Sequence, residues 1–212
     1  MRRFIVPMMT ILLSCTAIGN AQLIKSYGVK LAYTSASQNI DYPTPPWGWW
    51  TGIKASAKPG FNIAAFAEWL NVPFFSVVSQ IEYAQRGANL KYPLPGGWSS
   101  TDGRLDYLTI PILAKVTLPI GSGSPYLLAG PRADFLFNYR DVEIQMNTNP
   151  FYSDFKKVMF GGSIGVGVQT GSLLPIALLA ELRYNFDFLD SYNNDYLKVR
   201  NNAFDIWVGV VL

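Results

Sequence analysis

Along much of this chain, hydrophobic side chains alternate with small or polar ones at a period of two. In the clearest segment Leu178, Leu182 and Tyr184 fall on one face, and Glu181 and Arg183 fall on the other. A period of two places successive side chains on opposite faces of a β-strand. The same reading along the chain predicts eight strands, at 26–33, 61–70, 75–86, 104–116, 126–139, 158–169, 176–187 and 204–212.

The predicted connections alternate between long and short. Short turns lie near Asn71, Gly121 and Gly171. Short turns at one end and long loops at the other are typical of outer-membrane barrels, whose turns are periplasmic and whose loops are external. The four long connections are 35–58, 87–103, 140–156 and 189–202.

The composition of the two strand faces indicates which one faces inward. The face opposite the apolar one is rich in Gly, Ser and Ala, with a few charges, and suits the narrow interior of eight strands. The apolar face carries large aromatic residues that would overfill such an interior. Only 15% of the residues are charged, against about 25% in soluble domains. Because backbone groups in hydrocarbon must all be paired, the sheet must also close. The sequence therefore predicts an all-β fold, an eight-stranded antiparallel up-and-down transmembrane β-barrel with short periplasmic turns and long extracellular loops.

The N-terminal segment has the features of an export signal. Arg2 and Arg3 precede a short apolar run, and Gly19-Asn20-Ala21 fits the small-x-small pattern of a cleavage site. We expect residues 1–21 to be a signal peptide and 22–212 to be the barrel domain, located in the outer membrane. Cys15 leaves an alternative open, because Leu12-Leu13-Ser14-Cys15 loosely matches a lipoprotein site at which the cysteine is lipidated.

Composition also argues against several functions. Without Arg2 and Arg3 the chain has nearly balanced charge, so nucleic-acid binding is not expected. Histidine is absent, which removes the commonest general base and zinc ligand. Glu82 and Glu181 could in principle act as a carboxylate pair, but no substrate pocket is indicated. We expect no enzyme activity, no cofactor and no metal; the acidic residues from Asp187 to Asp195 match no calcium-loop spacing.

Ten charged residues are predicted to point into the lumen. They could line a narrow polar path, or they could neutralise one another as a structural network of ion pairs. We favour the network, because an unpaired buried charge is costly and eight strands leave little bore. The ten residues are Lys30, Glu82, Arg86, Lys115, Arg132, Asp134, Glu181, Arg183, Asp187 and Asp205.

Three tryptophans follow a proline-rich run in the first long loop. Trp47, Trp49 and Trp50 form a possible loop contact surface for a ligand or partner. The alternative is that they pack over the barrel mouth or lie among lipid headgroups.

Five stretches carry a family resemblance: 80–87, 107–115, 125–131, 161–168 and 181–184. Together they resemble the PorT-like outer-membrane β-barrel family of bacteroidete bacteria. Two departures are Thr109, where that family often has a carboxylate, and Leu212, where an aromatic residue is common. The resemblance implies a fold and a location; some relatives are associated with a protein-secretion and gliding apparatus, and no functional residues are carried over.

We therefore predict an integral outer-membrane barrel with a structural or interaction role through its external loops, without catalysis or a large pore. One alternative is an accessory component of a secretion or surface-assembly complex. Another is a secreted soluble barrel that binds a small apolar ligand. The expected partners are outer-membrane lipids and other envelope proteins, with a monomeric barrel.

Overall fold

The computed structural model describes residues 23–42, 52–94, 96–118, 120, 123–140, 152, 154–170, 176–193, 195 and 197–212. No helix in these ranges is long and apolar enough to cross a membrane. The strands are β1 (Ile24–Asp41), β2 (Lys54–Ser56), β3 (Lys58–Val72), β4 (Phe75–Arg86), β5 (Asn89–Leu94), β6 (Gly97–Asp102), β7 (Arg104–Thr117), β8 (Gly123–Arg140), β9 (Val158–Thr170), β10 (Ala177–Asp187), β11 (Tyr192–Asn193) and β12 (Lys198–Val211).

Eight of the strands form a closed antiparallel barrel in the order β1-β3-β4-β7-β8-β9-β10-β12. The barrel closes where β1 pairs with β12, from Gly28 opposite Val211 to Asp41 opposite Lys198. Each barrel strand pairs with the next barrel strand along the chain, which is the up-and-down topology that the alternation predicts. The fold prediction is confirmed. We call the end with the long connections the loop end and the opposite end the turn end.

The outer wall is apolar and the lumen is polar. Leu178 and Val208 are 57% and 59% exposed, whereas Glu181 and Arg183 are 4% and 1% exposed. This is the reverse of a water-soluble barrel, because the large apolar side chains cover the outside. An apolar wall of this kind is stable in the hydrocarbon of a membrane. The backbone meets the second requirement of that environment, because every barrel strand is paired on both sides.

Several strands at the loop end are longer than the sequence predicts. The predicted loop 35–58 is wrong in its first part, because β1 continues to Asp41, and β12 begins at Lys198 inside the predicted loop 189–202. These extensions carry polar side chains such as Ser37 and Asn39 on the outer face. Where both faces of a strand are polar, its side chains do not alternate between apolar and polar. The sequence therefore predicts only the part of each strand whose outer face is apolar.

The predicted loop 87–103 contains a hairpin. Its strands β5 and β6 pair with each other, and β2 pairs with β5, giving a separate three-stranded sheet. We call this the external sheet. Its inner face includes Ala55 and Leu90, which contact a cluster of buried apolar residues at the loop end.

That cluster, which we call the cap, lies at the loop end of the barrel. Tyr152 and Phe155 come from the β8–β9 connection and pack edge-to-face with ring centroids 4.8 Å apart. The Tyr152 hydroxyl donates a hydrogen bond to Gln38 Oε1 on β1 at 3.1 Å. The cap thus ties a loop segment to the barrel wall. Its buried members are Ala84, Ala88, Leu90, Leu105, Tyr107, Tyr152, Phe155 and Val199.

Candidate functional site

The structure places all ten charged residues predicted for the lumen inside the barrel. They come from β1, β4, β7, β8, β10 and β12, so opposite walls contribute both signs of charge. Each has at least one ion pair or charge-assisted hydrogen bond. The ten are Lys30, Glu82, Arg86, Lys115, Arg132, Asp134, Glu181, Arg183, Asp187 and Asp205.

Glu181 lies at the centre of this network. Its carboxylate accepts from Lys30 Nζ at 3.2 Å, from the Tyr126 hydroxyl at 3.1 Å, and from the Arg183 guanidinium. Arg183 also lies 3.5 Å from a carboxylate oxygen of Glu82. Glu82 and Glu181, the carboxylates considered for catalysis, are therefore joined through one arginine and buried away from solvent.

The network continues from Glu82 toward the loop end. Arg86 lies 3.8 Å from the Glu82 carboxylate and 3.7 Å from that of Asp205. Asp205 accepts hydrogen bonds from the Thr34 hydroxyl at 2.5 Å and from Asn185 Nδ2 at 2.6 Å. A neutral hydroxyl and amide thus complete the coordination of a fully buried carboxylate, which lowers the cost of burying its charge.

A second group lies nearer the loop end. Arg132 pairs with Asp134 and with Asp187, at 2.5 Å each. Thr109 donates to Asp134 at 2.7 Å, and Asn201 donates to Asp187 at 3.1 Å. Asp187, considered above with the last loop, is thus engaged in the lumen. The described part of the chain contains no group of three or more acidic, histidine or cysteine side chains placed to hold a metal ion.

The sequence analysis missed two buried carboxylates, Asp106 on β7 and Glu68 on β3. Glu68 on β3 is in contact with Lys115 Nζ at 2.8 Å, Lys25 Nζ at 2.7 Å and the Ser76 hydroxyl at 2.7 Å. The signal was present, because Glu68 shares its strand face with the buried residues Ala64 and Phe66. A carboxylate on a strand that crosses hydrocarbon has the lumen as its only favourable direction.

Buried side chains fill much of the lumen that the described residues enclose. One cavity of about 20 Å³ lies near the turn end, which is room for about one water molecule. Its wall includes Lys30, Lys115, Glu68 and Glu181.

Glycines in β9 make this dense packing possible. A Cβ placed on Gly161 would lie 3.0 Å from the guanidinium of Arg132, and one on Gly165 would lie 3.1 Å from Leu128 Cδ1. Both glycines therefore lie opposite large inward side chains from β8.

The external sheet presents a different surface on its outer face. Lys54 and Lys91 lie directly opposite each other in the β2–β5 register, and both are exposed. Trp98 on β6 is exposed as well, and Lys54 Nζ lies 5.3 Å from the centroid of its ring. Trp47, Trp49 and Trp50, the predicted loop contact surface, lie outside the described residues.

Comparisons with known proteins agree with this architecture. A family model described as "Outer membrane protein beta-barrel domain" matches residues 24–193. No curated protein matches the chain in sequence.

Two solved structures are similar in fold. The outer membrane protein OprG from Pseudomonas aeruginosa is 11% identical, with a TM-score of 0.50 over 87% of this chain and 96% of that one. Neisserial surface protein A is 17% identical, with a TM-score of 0.48 over 87% of this chain and 96% of that one. At these identities the likeness concerns the fold alone.

Proposed function

Since the chain belongs to the outer membrane protein β-barrel domain family and is an outer-membrane barrel, we propose that it is a rigid, non-conducting support that presents its loop end to other components of the cell envelope. The observation that carries this proposal is the filled interior. Ion pairs occupy the lumen, and the buried apolar cap lies at its loop end. Among the described residues, the lipid-facing wall and the two ends of the barrel remain exposed, and the loop end carries the larger ordered surface.

The packed lumen supports the absence of a large pore. The middle of the barrel is crossed by the side chains of Arg183, Glu82 and Arg86. A pore could open only if these side chains moved aside, which would break several buried ion pairs at once. Purified protein in planar lipid bilayers is therefore expected to give no stable, large conductance. Steady porin-like openings would contradict the proposal.

The same network supports a role without catalysis. A general acid or base must reach a substrate proton at hydrogen-bond distance. Glu82 and Glu181 instead face Arg183 and Lys30, and the adjoining cavity admits about one water molecule.

The organised loop end supports an interaction role. The external sheet is fastened to the barrel through Leu90 and the cap, and Asp190 pairs with Arg200 at 2.6 Å on the β10–β12 side. Such a surface is fixed before any partner arrives, which reduces the entropy lost on binding.

A crosslinking pull-down from intact envelopes tests this role. We expect envelope components to be captured through photo-crosslinkers placed at exposed loop-end positions such as Ser100 and Asn193. A matched crosslinker at Leu178, on the lipid-facing wall, is the control. Recovery of lipid alone from both sets of positions would contradict the interaction role.

The sequence resemblance to the PorT-like family extends this proposal. It supports membership in an outer-membrane secretion or surface-assembly complex, as an accessory component, with residues 1–21 as the export signal. In this proposal the barrel is a monomer in contact with outer-membrane lipids. A charged lumen and an apolar outer wall offer no support for a soluble barrel with an apolar ligand.

A further inference from the structure

The external sheet has two chemically different faces. Ala55 and Leu90 point toward the cap, where Leu90 is buried. Because side chains alternate along a strand, the neighbouring positions Lys54 and Lys91 point away from the barrel. The sheet is therefore anchored on one side and open on the other, at the loop end of the barrel.

The open face carries an unbalanced pair of cations. Lys54 and Lys91 are register partners, and like charges directly opposite each other destabilise a strand pair. The acidic residue on this face, Asp102, lies 3.6 Å from Lys58 Nζ. No described carboxylate pairs with Lys54 or Lys91. An anionic group of a bound ligand could therefore neutralise both ammonium groups.

An exposed indole completes the face. Trp98 is 59% exposed, and it lies opposite Pro93 in the β5–β6 register. Next to it Ser100 lies opposite Lys91, which places a hydroxyl beside the lysine pair. Lys54 Nζ lies 5.3 Å from the centroid of this ring, so the indole and the lysine pair form one exposed patch that combines an aromatic surface with positive charge.

We propose that this face binds an acidic oligosaccharide. The C–H-rich face of a pyranose ring stacks on Trp98, an acidic group of the sugar lies between Lys54 and Lys91, and Ser100 hydrogen-bonds to ring hydroxyls. This assignment rests on the proposed interaction role of the loop end and specifies its ligand.

Charge and shape together favour this ligand over others. A neutral sugar would leave the two lysines facing each other, and an acidic peptide without rings would leave the indole uncovered. Single-stranded nucleic acid also combines rings with negative charge, but its recognition needs a positive groove that follows several phosphates. Two lysines beside one indole match a single charged sugar unit and its neighbour.

Calorimetric titration of the full chain in detergent micelles tests the proposal. The probes are octagalacturonate, neutral maltooctaose, octaglutamate peptide and an eight-nucleotide oligothymidylate. We expect octagalacturonate to bind most tightly. Replacing both lysines in K54Q/K91Q should weaken it about tenfold, because both exposed ion pairs with the sugar acid are lost. Trp98→Ala should weaken it by a similar factor, because the stacking contact with the sugar ring is lost.

The control variant is K156Q/K157Q, which removes the same charge from exposed lysines outside the sheet. It should retain the wild-type affinity for octagalacturonate. Equal binding of octaglutamate or oligothymidylate, equal loss in the control variant, or no binding of octagalacturonate would each overturn the saccharide site. None of these results affects the proposed function, which fails only if the barrel conducts or if its loop end captures no envelope component.

Discussion

Lys30 Nζ lies 3.2 Å from the carboxylate of Glu181, although 151 residues separate them in the sequence. Lys30 is on β1 and Glu181 is on β10, and β12 runs between these two strands. The contact therefore crosses the interior beside the seam where the barrel closes. The two residues differ in their number of partners, because Glu181 also accepts hydrogen bonds from Arg183 and Tyr126.

This inequality predicts different effects of removing each partner. Glu181→Gln leaves two buried cations without their shared anion, so we expect the free energy of unfolding to fall by about 3–5 kcal/mol. Lys30→Met leaves Glu181 neutralised by Arg183 and should have a clearly smaller effect. Urea unfolding in lipid vesicles, followed by tryptophan fluorescence, measures both. Equal losses would show that Glu181 has no central role.

A similar comparison applies to Glu68 at the turn end. Glu68→Gln leaves the buried Lys115 ammonium uncompensated, and we expect a loss of about 3 kcal/mol. In the double variant E68Q/K115M the cation is removed too, so much of this loss should be recovered. The same urea titration measures the difference. A double variant less stable than E68Q would rule out charge compensation as the reason.

The lipid-facing wall predicts a dependence on depth. Leu182 lies midway between Ile176 and Phe188, and all three are exposed on the outer wall. Leu182→Arg should cost about 2–4 kcal/mol in a bilayer, whereas Phe188→Arg near the loop end should cost about 0–1 kcal/mol. Unfolding in vesicles gives both values. Similar costs at the two positions would mean that the wall is not spanned by hydrocarbon as described.

The cap makes a prediction about Gly103. A Cβ at this position would lie 2.5 Å from Cζ of the buried Tyr152 ring, so Gly103→Ala should displace the ring. Overpacking costs about 1–3 kcal/mol, which raises cleavage of the β8–β9 connection by chymotrypsin about tenfold or more. In Gly123→Ala the nearest atom is Val168 Cγ2 at 3.8 Å, so no change is expected. The heat-modifiable migration of the barrel should persist in both variants.

The barrel could be predicted from the sequence because hydrocarbon imposes a strict rule on each strand. On β10 and β12 the rule separates Leu182 and Val208 from Arg183 and Asp205 without ambiguity. Beyond the lipid the rule no longer applies. Strand residues such as Ser37 are polar on the outside, and the hairpin of β5 and β6 has no apolar band.

The contacts in the lumen were harder to predict than its members. Alternation places Glu181 and Lys30 inside, but their meeting depends on the stagger of the strands around the barrel, which no single strand encodes. Glu68 was missed because the alternation of β3 is interrupted by a run of alanines. The lysine pair of the external sheet depends on a register between β2 and β5 that the sequence does not specify.

The seam between β1 and β12 has a consequence for biogenesis. Because β1 pairs with β12, the barrel cannot close until β12 has been synthesised and has reached the membrane. Before that moment β1 and β10 are free edges, which invite pairing with other chains. Pairings between such distant segments form slowly. We therefore expect that a chaperone covering these strand edges before membrane insertion limits aggregation more than mutations that stabilise the folded barrel.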